Sequence, residues 1–223
     1  MNLRHEWKHE INFQDMLSLR MALSAVAETD PHTIDGKYII RSLYFDDLYD
    51  SALRDKVNGV SWREKFRIRY YNDDTSFIQL EKKCKLGSLT GKLQAPLTAD
   101  EAQRIVCGDI DWMADETDQL ILQFYSKMKG SGLRAKTIVD YTREPFIYAP
   151  GNVRVTMDYN IRTGLHLTDF LNPETPTIPA GDAPIILEVK WDGFLPDVIR
   201  DAVQLRSRRV GSFSKYEQCR IYG

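Results

Sequence analysis

The stretch "KFRIRYY", Lys65 to Tyr71, alternates without a break between polar and apolar letters. In an extended chain, neighbouring side chains point to opposite faces. Lys65, Arg67, Arg69 and Tyr71 therefore share one face, and Phe66, Ile68 and Tyr70 share the other. The apolar face suits a core, while its opposite is strongly basic. Three further stretches repeat the pattern. "SFIQLEKKCK" (Ser76 to Lys85) sets Gln79, Glu81, Lys83 and Lys85 against Ile78, Leu80 and Cys84. "VRVTMD" sets Arg154, Thr156 and Asp158 against Val153, Val155 and Met157. "IILEVK" sets Ile186, Glu188 and Lys190 against Ile185, Leu187 and Val189. One such strand is the ordinary solvent side of a half-buried sheet. As a set they differ from that, because lysine and arginine repeatedly flank a lone carboxylate while neutral polar letters are sparse. If the sheet closes with this face inward, about ten cations and a few carboxylates look into one lumen, where unpaired charges cost several kcal/mol each. Such a lumen calls for a polyanion. Arginine forks match phosphate oxygens, lysines add point charge, and a glutamate among them can hold a divalent ion that bridges phosphates.

The remaining segments supply the frame. "GKYIIRSLYFDD" (Gly36 to Asp47) and "SLTGKLQAPL" (Ser88 to Leu97) read as strands, and with Trp62 to Asn72 and Ser76 to Lys85 they form an antiparallel meander. Further strands are expected in "LRAKTIVDYTREPFIYA", "NVRVTMDYNIRTG" and "APIILEVKWDG". Met16, Leu19, Leu23 and Val26 recur at helical spacing behind Asn12 and Asp15. Thr98 with Glu101 marks a capped helix that Gly108 stops. Leu120, Ile121, Phe124 and Met128 mark another from about Asp115 to Lys129, followed by Gly130. "HLTDFLNPETPTIPAGD" reads as a long loop, and Pro196 opens a short helix through Val198, Ile199, Ala202 and Leu205. Eight or so antiparallel strands with helices on their connections predict an α+β domain over residues 1–223 whose sheet curls towards closure.

Composition removes several classes. The 223 residues carry 30 Lys+Arg against 32 Asp+Glu, a net charge of -2, so there is no broad basic footprint for nucleic acid and any anion site must be local. No apolar run spans a membrane and no signal region precedes the first charges, which points to a cytoplasmic setting. The three cysteines Cys84, Cys107 and Cys219 form no C-x-x-C pair and read as buried thiols. "HEWKH" (His5 to His9) spells the H-E-x-x-H zinc motif, which works only on a helix. Here the letters alternate as a strand does, with Arg4, Glu6, Lys8 and Glu10 on one face and His5, Trp7 and His9 on the other.

Taken in order, "RHEWKHEI", "KFRIRYY", "QLEKKCK", "DYTREPF", "VRVTMDYNIR", "IILEVKW" and "SFSKYEQC" resemble the VTC polyphosphate polymerase domain, within the CYTH-like triphosphate tunnel superfamily. The resemblance implies an eight-stranded antiparallel β-barrel tunnel that binds ATP and polyphosphate with Mn or Mg and moves the γ-phosphoryl group of ATP onto a growing chain. It assigns phosphate or nucleotide binding to Lys8, Arg67, Arg69, Lys83, Lys92, Arg143, Arg154, Lys190, Ser214 and Lys215, with Arg67, Arg69, Lys83 and Lys215 closest to the chemistry. It assigns the metal to Glu188 and Glu6. Tunnel hydrolases and cyclases of the superfamily open with E-x-E-x-K, whereas this chain reads Arg4-x-Glu6-x-Lys8, which suits the polymerase branch.

One departure stands out. Family polymerases often carry a lysine three residues before that of "SKY", where this chain has Ser212, with Arg208 and Arg209 nearby. The SPX regulatory domain and membrane helices of eukaryotic relatives are not visible, so a separate membrane protein partner is one expectation. Three alternatives to the polymerase remain. They are a tunnel triphosphatase, which needs only water in the same tunnel, a polyphosphate-binding domain without turnover, and RNA binding on an open sheet. RNA-binding sheets expose aromatic rings for stacking, and Tyr71 is the one clear aromatic on the charged face.

Overall fold

A computed structural model describes residues 3–205, 208 and 210–222. The strands are β1 (Arg4–Ile11), β2 (Glu28–Thr29), β3 (Tyr38–Asp46), β4 (Trp62–Tyr71), β5 (Asp74–Leu86), β6 (Leu89–Leu97), β7 (Arg134–Tyr148), β8 (Val153–Gly164), β9 (Thr177–Pro179) and β10 (Ile185–Trp191). The helices are α1 (Phe13–Ser24), α2 (Ser51–Val57), α3 (Ala99–Val106), α4 (Gln119–Ser131), α5 (Asp197–Ala202) and α6 (Lys215–Tyr222).

Hydrogen bonding runs β7-β3-β4-β5-β6-β1-β10-β8, and β8 pairs again with β7, so eight antiparallel strands close into a ring. Closure is what turns the alternation into an inside and an outside. β2 and β9 are short additions on β7 and β8. The second of them corrects the reading of residues 166–182 as loop alone, because Thr177–Pro179 pairs with Arg162–Gly164. Its three residues are too few for any periodic signal.

Local chemistry explains the helix ends. Asn12 Oδ1 accepts from the Asp15 amide at 2.8 Å and Asp15 Oδ2 accepts from the Asn12 amide at 3.1 Å, a reciprocal cap on α1. Thr98 and Glu101 do the same for α3. α4 begins at Gln119, capped by Asp118, and runs through Gly130 to Ser131; it stops at Gly132, whose φ of 64° is the left-handed conformation glycine adopts freely. The expected start near Asp115 and stop at Gly130 are corrected accordingly. α2, between β3 and β4, has no buried residue and gave no apolar stripe to read.

The apolar faces are covered in two places outside the ring. Leu43, Phe45, Phe66, Ile68 and Leu80 pack with Phe124 of α4 beneath α3 and α4, and Val155, Leu187 and Val189 pack with Leu19 and Leu23 of α1 and Ile199 of α5. A third cluster, with Ile40, Tyr44, Tyr141, Ile186, Tyr216 and Cys219, lies on the inner side and seats α6 against β7 and β8. Cys84 and Cys219 are buried, but Cys107 at the end of α3 is exposed, so the buried-thiol reading is corrected for that residue. No helix among the described residues is long and apolar enough to cross a membrane.

Candidate anion-binding tunnel

The ring encloses a cavity of about 710 Å³. Its cations come from almost every wall: Arg4 and Lys8 (β1), Arg63, Lys65, Arg67 and Arg69 (β4), Lys83 and Lys85 (β5), Lys92 (β6), Arg143 (β7), Arg154 (β8) and Lys190 (β10). Lys56 of α2 and Lys215 of α6 complete the set. Every residue that the resemblance singled out, Glu6 and Glu188 included, lines this one cavity. The alternation brings them together, because each strand contributes its basic face at two-residue steps and closure points those faces at one another.

Four buried carboxylates partition the cations. Glu81 accepts from Arg67 Nε at 2.7 Å and Nη2 at 2.5 Å, and lies 3.8 Å from Arg69 Nη1 and 3.3 Å from Lys92 Nζ. Asp158 takes the Arg143 guanidinium at 2.6 and 2.7 Å and Lys215 at 2.5 Å. Lys8 Nζ bridges Glu6 at 2.8 Å and Glu188 at 3.2 Å, while Lys83 approaches Glu6 at 3.5 Å and Lys190 pairs with Glu188. Burial works to raise all four carboxyls, and the surrounding cations outweigh it. Glu6 falls to about 2 under Lys83, Lys8 and Lys190, and Asp158 to about 2 under Arg143 and Lys215. Glu81 and Glu188 are held well below the usual carboxylate range. Burial, with Lys8 and Lys190 beside it, pushes the Lys83 ammonium down to about 7 against the pull of Glu6.

Tyrosines form the rest of the wall. Tyr71 is not alone on the charged face: Tyr38, Tyr44, Tyr141 and Tyr216 also line the cavity. Their hydroxyls accept from the arginines, Tyr44 from Arg67 at 2.7 Å, Tyr141 from Arg69 at 3.0 Å and Tyr38 from Arg154 at 2.6 Å. Arg154 also reaches Asp30 at 2.7 Å. These rings orient guanidinium groups inside a closed barrel, and Tyr44 is itself stacked on Tyr216 at 5.2 Å. Tyr38 and Tyr44 give no sequence signal because "GKYIIRSLYFDD" is apolar on both faces and shows no contrast between inside and outside.

The departure at Ser212 acquires a structural answer. Arg208 bonds Asp15 at 2.8 Å, at the start of α1, and does not line the cavity; Arg209 lies outside the described residues. The ammonium beside Ser212 belongs to Lys56, whose Nζ donates to Ser212 Oγ at 3.3 Å and pairs with Glu217 at 3.0 Å. Only the fold brings α2 to this place. Arg4 sits at the rim, bonded to Asp192 at 2.8 Å and to the Asn152 carbonyl. "HEWKH" lies in β1, with His5 stacked on Trp191 at 5.3 Å, and no group of three potential metal ligands occurs among the described residues.

In the β1–β10 pairing Glu6 stands opposite Lys190 and Glu188 opposite Lys8, so the two carboxylates are diagonal neighbours that share Lys8. Mg²⁺ and Mn²⁺ are held by one or two carboxylates plus substrate phosphates and water, so this donor set fits such an ion.

The VTC domain pattern matches residues 3–221 of this chain. Among solved structures, the PH1012 protein from Pyrococcus horikoshii OT3 superposes with a TM-score of 0.54 at 14% identity, covering 96% of this chain and 98% of that one. A candidate adenylate cyclase from Bacillus halodurans superposes with a TM-score of 0.52 at 13% identity, covering 85% and 82%. At such identities the likeness speaks to the fold. No curated protein matches this chain in sequence.

Proposed function

This chain belongs to the VTC domain family, within the CYTH-like triphosphate tunnel superfamily, and on that premise we propose that it is a metal-dependent polyphosphate polymerase that uses ATP. The observation that carries the reading is the convergence, among the described residues, of fourteen lysines and arginines on one enclosed cavity with only Glu6 and Glu188 as acidic lining residues. A linear polyphosphate is the ligand class whose charge density answers such a wall.

Phosphoryl transfer asks the protein mainly for alignment and neutralisation of oxygens. Arg67, Arg69, Lys83 and Lys215 surround the transferred group, and Lys8, Lys92, Arg143, Arg154, Lys190 and Ser214 hold the phosphates on either side. The terminal oxygen of the acceptor chain attacks the γ-phosphorus, the bond to the β–γ bridging oxygen breaks, and ADP leaves with that electron pair. A divalent ion held by Glu188 and Glu6 would supply further charge neutralisation to the same oxygens. Tyr44 and Tyr141 fix the planes of Arg67 and Arg69 in advance, so little reorganisation accompanies the reaction.

The test is incubation with ATP, Mn²⁺ or Mg²⁺ and a pyrophosphate primer, with products resolved on a gel and by free-phosphate assay. Long chains with stoichiometric ADP are expected. Orthophosphate as the sole new product would make the protein a triphosphatase, and polyphosphate binding without turnover would make it a binding domain.

A further inference from the structure

The cations of the tunnel divide sharply by what neutralises them. Arg67, Arg69 and Lys92 share Glu81, Arg143 and Lys215 share Asp158, and Lys8, Lys83 and Lys190 share Glu6 and Glu188. Farther along the same face of β4 and β5 the carboxylates stop. Lys65 and Arg63 follow Arg67 at two-residue steps, facing Lys83 and Lys85 across the ladder. Among the described residues none of Arg63, Lys65 and Lys85 has a carboxylate within 4.0 Å, and all three line the cavity. Arg63 donates only to the carbonyls of Asp55 and Lys56 at the end of α2. Lys65 reaches the Ser214 hydroxyl at 3.4 Å and sits 4.9 Å over the Tyr216 ring. Burial, joined by the like charges of Lys56 and Arg63, pushes the Lys65 ammonium down to about 8, and the more distant Glu217 and Asp46 do not restore it. A cluster of cations in a shared cavity without counter-charge is favourable only when an anion enters it.

We propose that Arg63, Lys65 and Lys85, with the hydroxyls of Ser212 and Ser214, form a second phosphate subsite of cations without paired carboxylates, bordered by the Glu217-paired Lys56, that holds the part of a polyphosphate chain lying beyond its three reacting phosphates. The proposal rests on the polymerase reading and names where its chain runs. Arg69 and Arg63 lie six residues apart on one strand, about 20 Å at the rise of an extended chain, which is more than three linked phosphates span. Lys65 stands opposite Lys83, with Arg63 and Lys85 one step beyond, so the two cation groups adjoin as successive stations on one track. The inner station exchanges its own carboxylates for phosphate oxygens. The outer one has none to exchange, so its contribution is gained in full when phosphate arrives.

The test is binding, read by calorimetry without turnover. Wild type is titrated with sodium tripolyphosphate, a long-chain polyphosphate and orthophosphate, and the titrations are repeated on Arg63→Gln/Lys65→Met and on Lys85→Gln. Wild type is expected to bind the long chain more tightly than tripolyphosphate. The double variant should lose about tenfold or more for the long chain and at most about twofold for tripolyphosphate, from charge-assisted hydrogen bonds at the outer station. Lys85→Gln, a milder change, should shift the same ratio in the same direction with an unaltered melting curve. Equal affinity for the two lengths in wild type, or equal loss of both in the variants, overturns the subsite while leaving the polymerase reading standing. Orthophosphate that competes with the long chain only at the outer station, and whose binding the double variant alone removes, would make the site one for free phosphate and also overturn the proposal. Failure of wild type to bind any phosphate chain overturns both.

Discussion

Replacing Glu81 by glutamine tests the idea that the tunnel carries its own counter-ions. Glu81 is 2% exposed and, among the described residues, is the only carboxylate within 4.0 Å of Arg67, Arg69 or Lys92. Removing one partner of a buried pair typically costs 3–5 kcal/mol; glutamine keeps the shape and one acceptor oxygen, so the lower end, about 3 kcal/mol, is expected. For a chain of this length that corresponds to a melting midpoint lower by roughly 6–12 °C. The same substitution frees the Arg67 fork and removes the counter-charge beside Arg69 and Lys92, so tripolyphosphate should bind Glu81→Gln about tenfold more tightly than wild type. At a hundred times the variant's dissociation constant the ligand stabilises Glu81→Gln by about 2.7 kcal/mol and wild type by about 1.4 kcal/mol, so the gap closes by about 1.3 kcal/mol. The assay is a thermal melt of both proteins across a tripolyphosphate titration. The carboxyl of Glu81 is depressed in the folded state, so its contribution is present in full above its unfolded pKa and is lost as pH falls through the lower folded value. The gap between the two melts should thus narrow only in strong acid. A variant that melts with wild type in the absence of ligand, or binds tripolyphosphate no better, would refute the reasoning.

Glu188→Gln should abolish metal-dependent turnover while sparing most polyphosphate binding; full activity would show that the ion is held elsewhere. Arg67→Ala with Arg69→Ala should abolish polyphosphate binding, but it also leaves Glu81 with Lys92 alone, so the triple change that adds Glu81→Gln should melt higher than the double, and a lower melt would contradict the pairing. Because Lys65 sits at about 8 in the anion-free protein, long-chain binding above that pH should take up protons and weaken as pH rises through it, which calorimetry in buffers of different ionisation enthalpy would detect. Gly164→Ala would place a Cβ 2.8 Å from Ile138 Cβ, on the β7–β8 pairing that closes the ring, and should cost about 1–3 kcal/mol by denaturant titration.

How much of this was legible depended on contrast between faces. β4, β5, β8 and β10 alternate basic with apolar letters, so their inner faces could be read before any coordinates. β3 could not be read that way: Tyr38, Ile40 and Tyr44 face inward, Leu43 and Phe45 face outward, and both sets are apolar. Lys56 was invisible for another reason. It lies on a seven-residue helix with no buried residue, and its meeting with Ser212 spans 156 positions, a distance over which no periodic signal carries. Arg41 illustrates the converse. It sits among the apolar letters of β3 and is buried, yet it points away from the lumen and is consumed by Asp140 at 2.8 Å.

The lumen seen from sequence alone had to be filled, since ten or so inward cations without partners would not be tolerated. The structure changes that inference. The inward carboxylates, of which Glu188 and Glu6 are the expected metal ligands, serve first as internal counter-ions: Glu81 for three cations, Asp158 for two, and Glu6 with Glu188 for Lys8, Lys83 and Lys190. An incoming phosphate chain therefore gains less than a count of positive charges suggests, because each inner contact is an exchange of one anion for another. On the polymerase reading, the exchange would keep the inner station from holding its ligand too tightly, which advancing a chain by one phosphate per turnover requires. On the proposed outer station, net grip would come from where the counter-ions run out, at Arg63, Lys65 and Lys85. A tunnel arranged in this way binds loosely where bonds are made and broken and firmly where the chain only passes through.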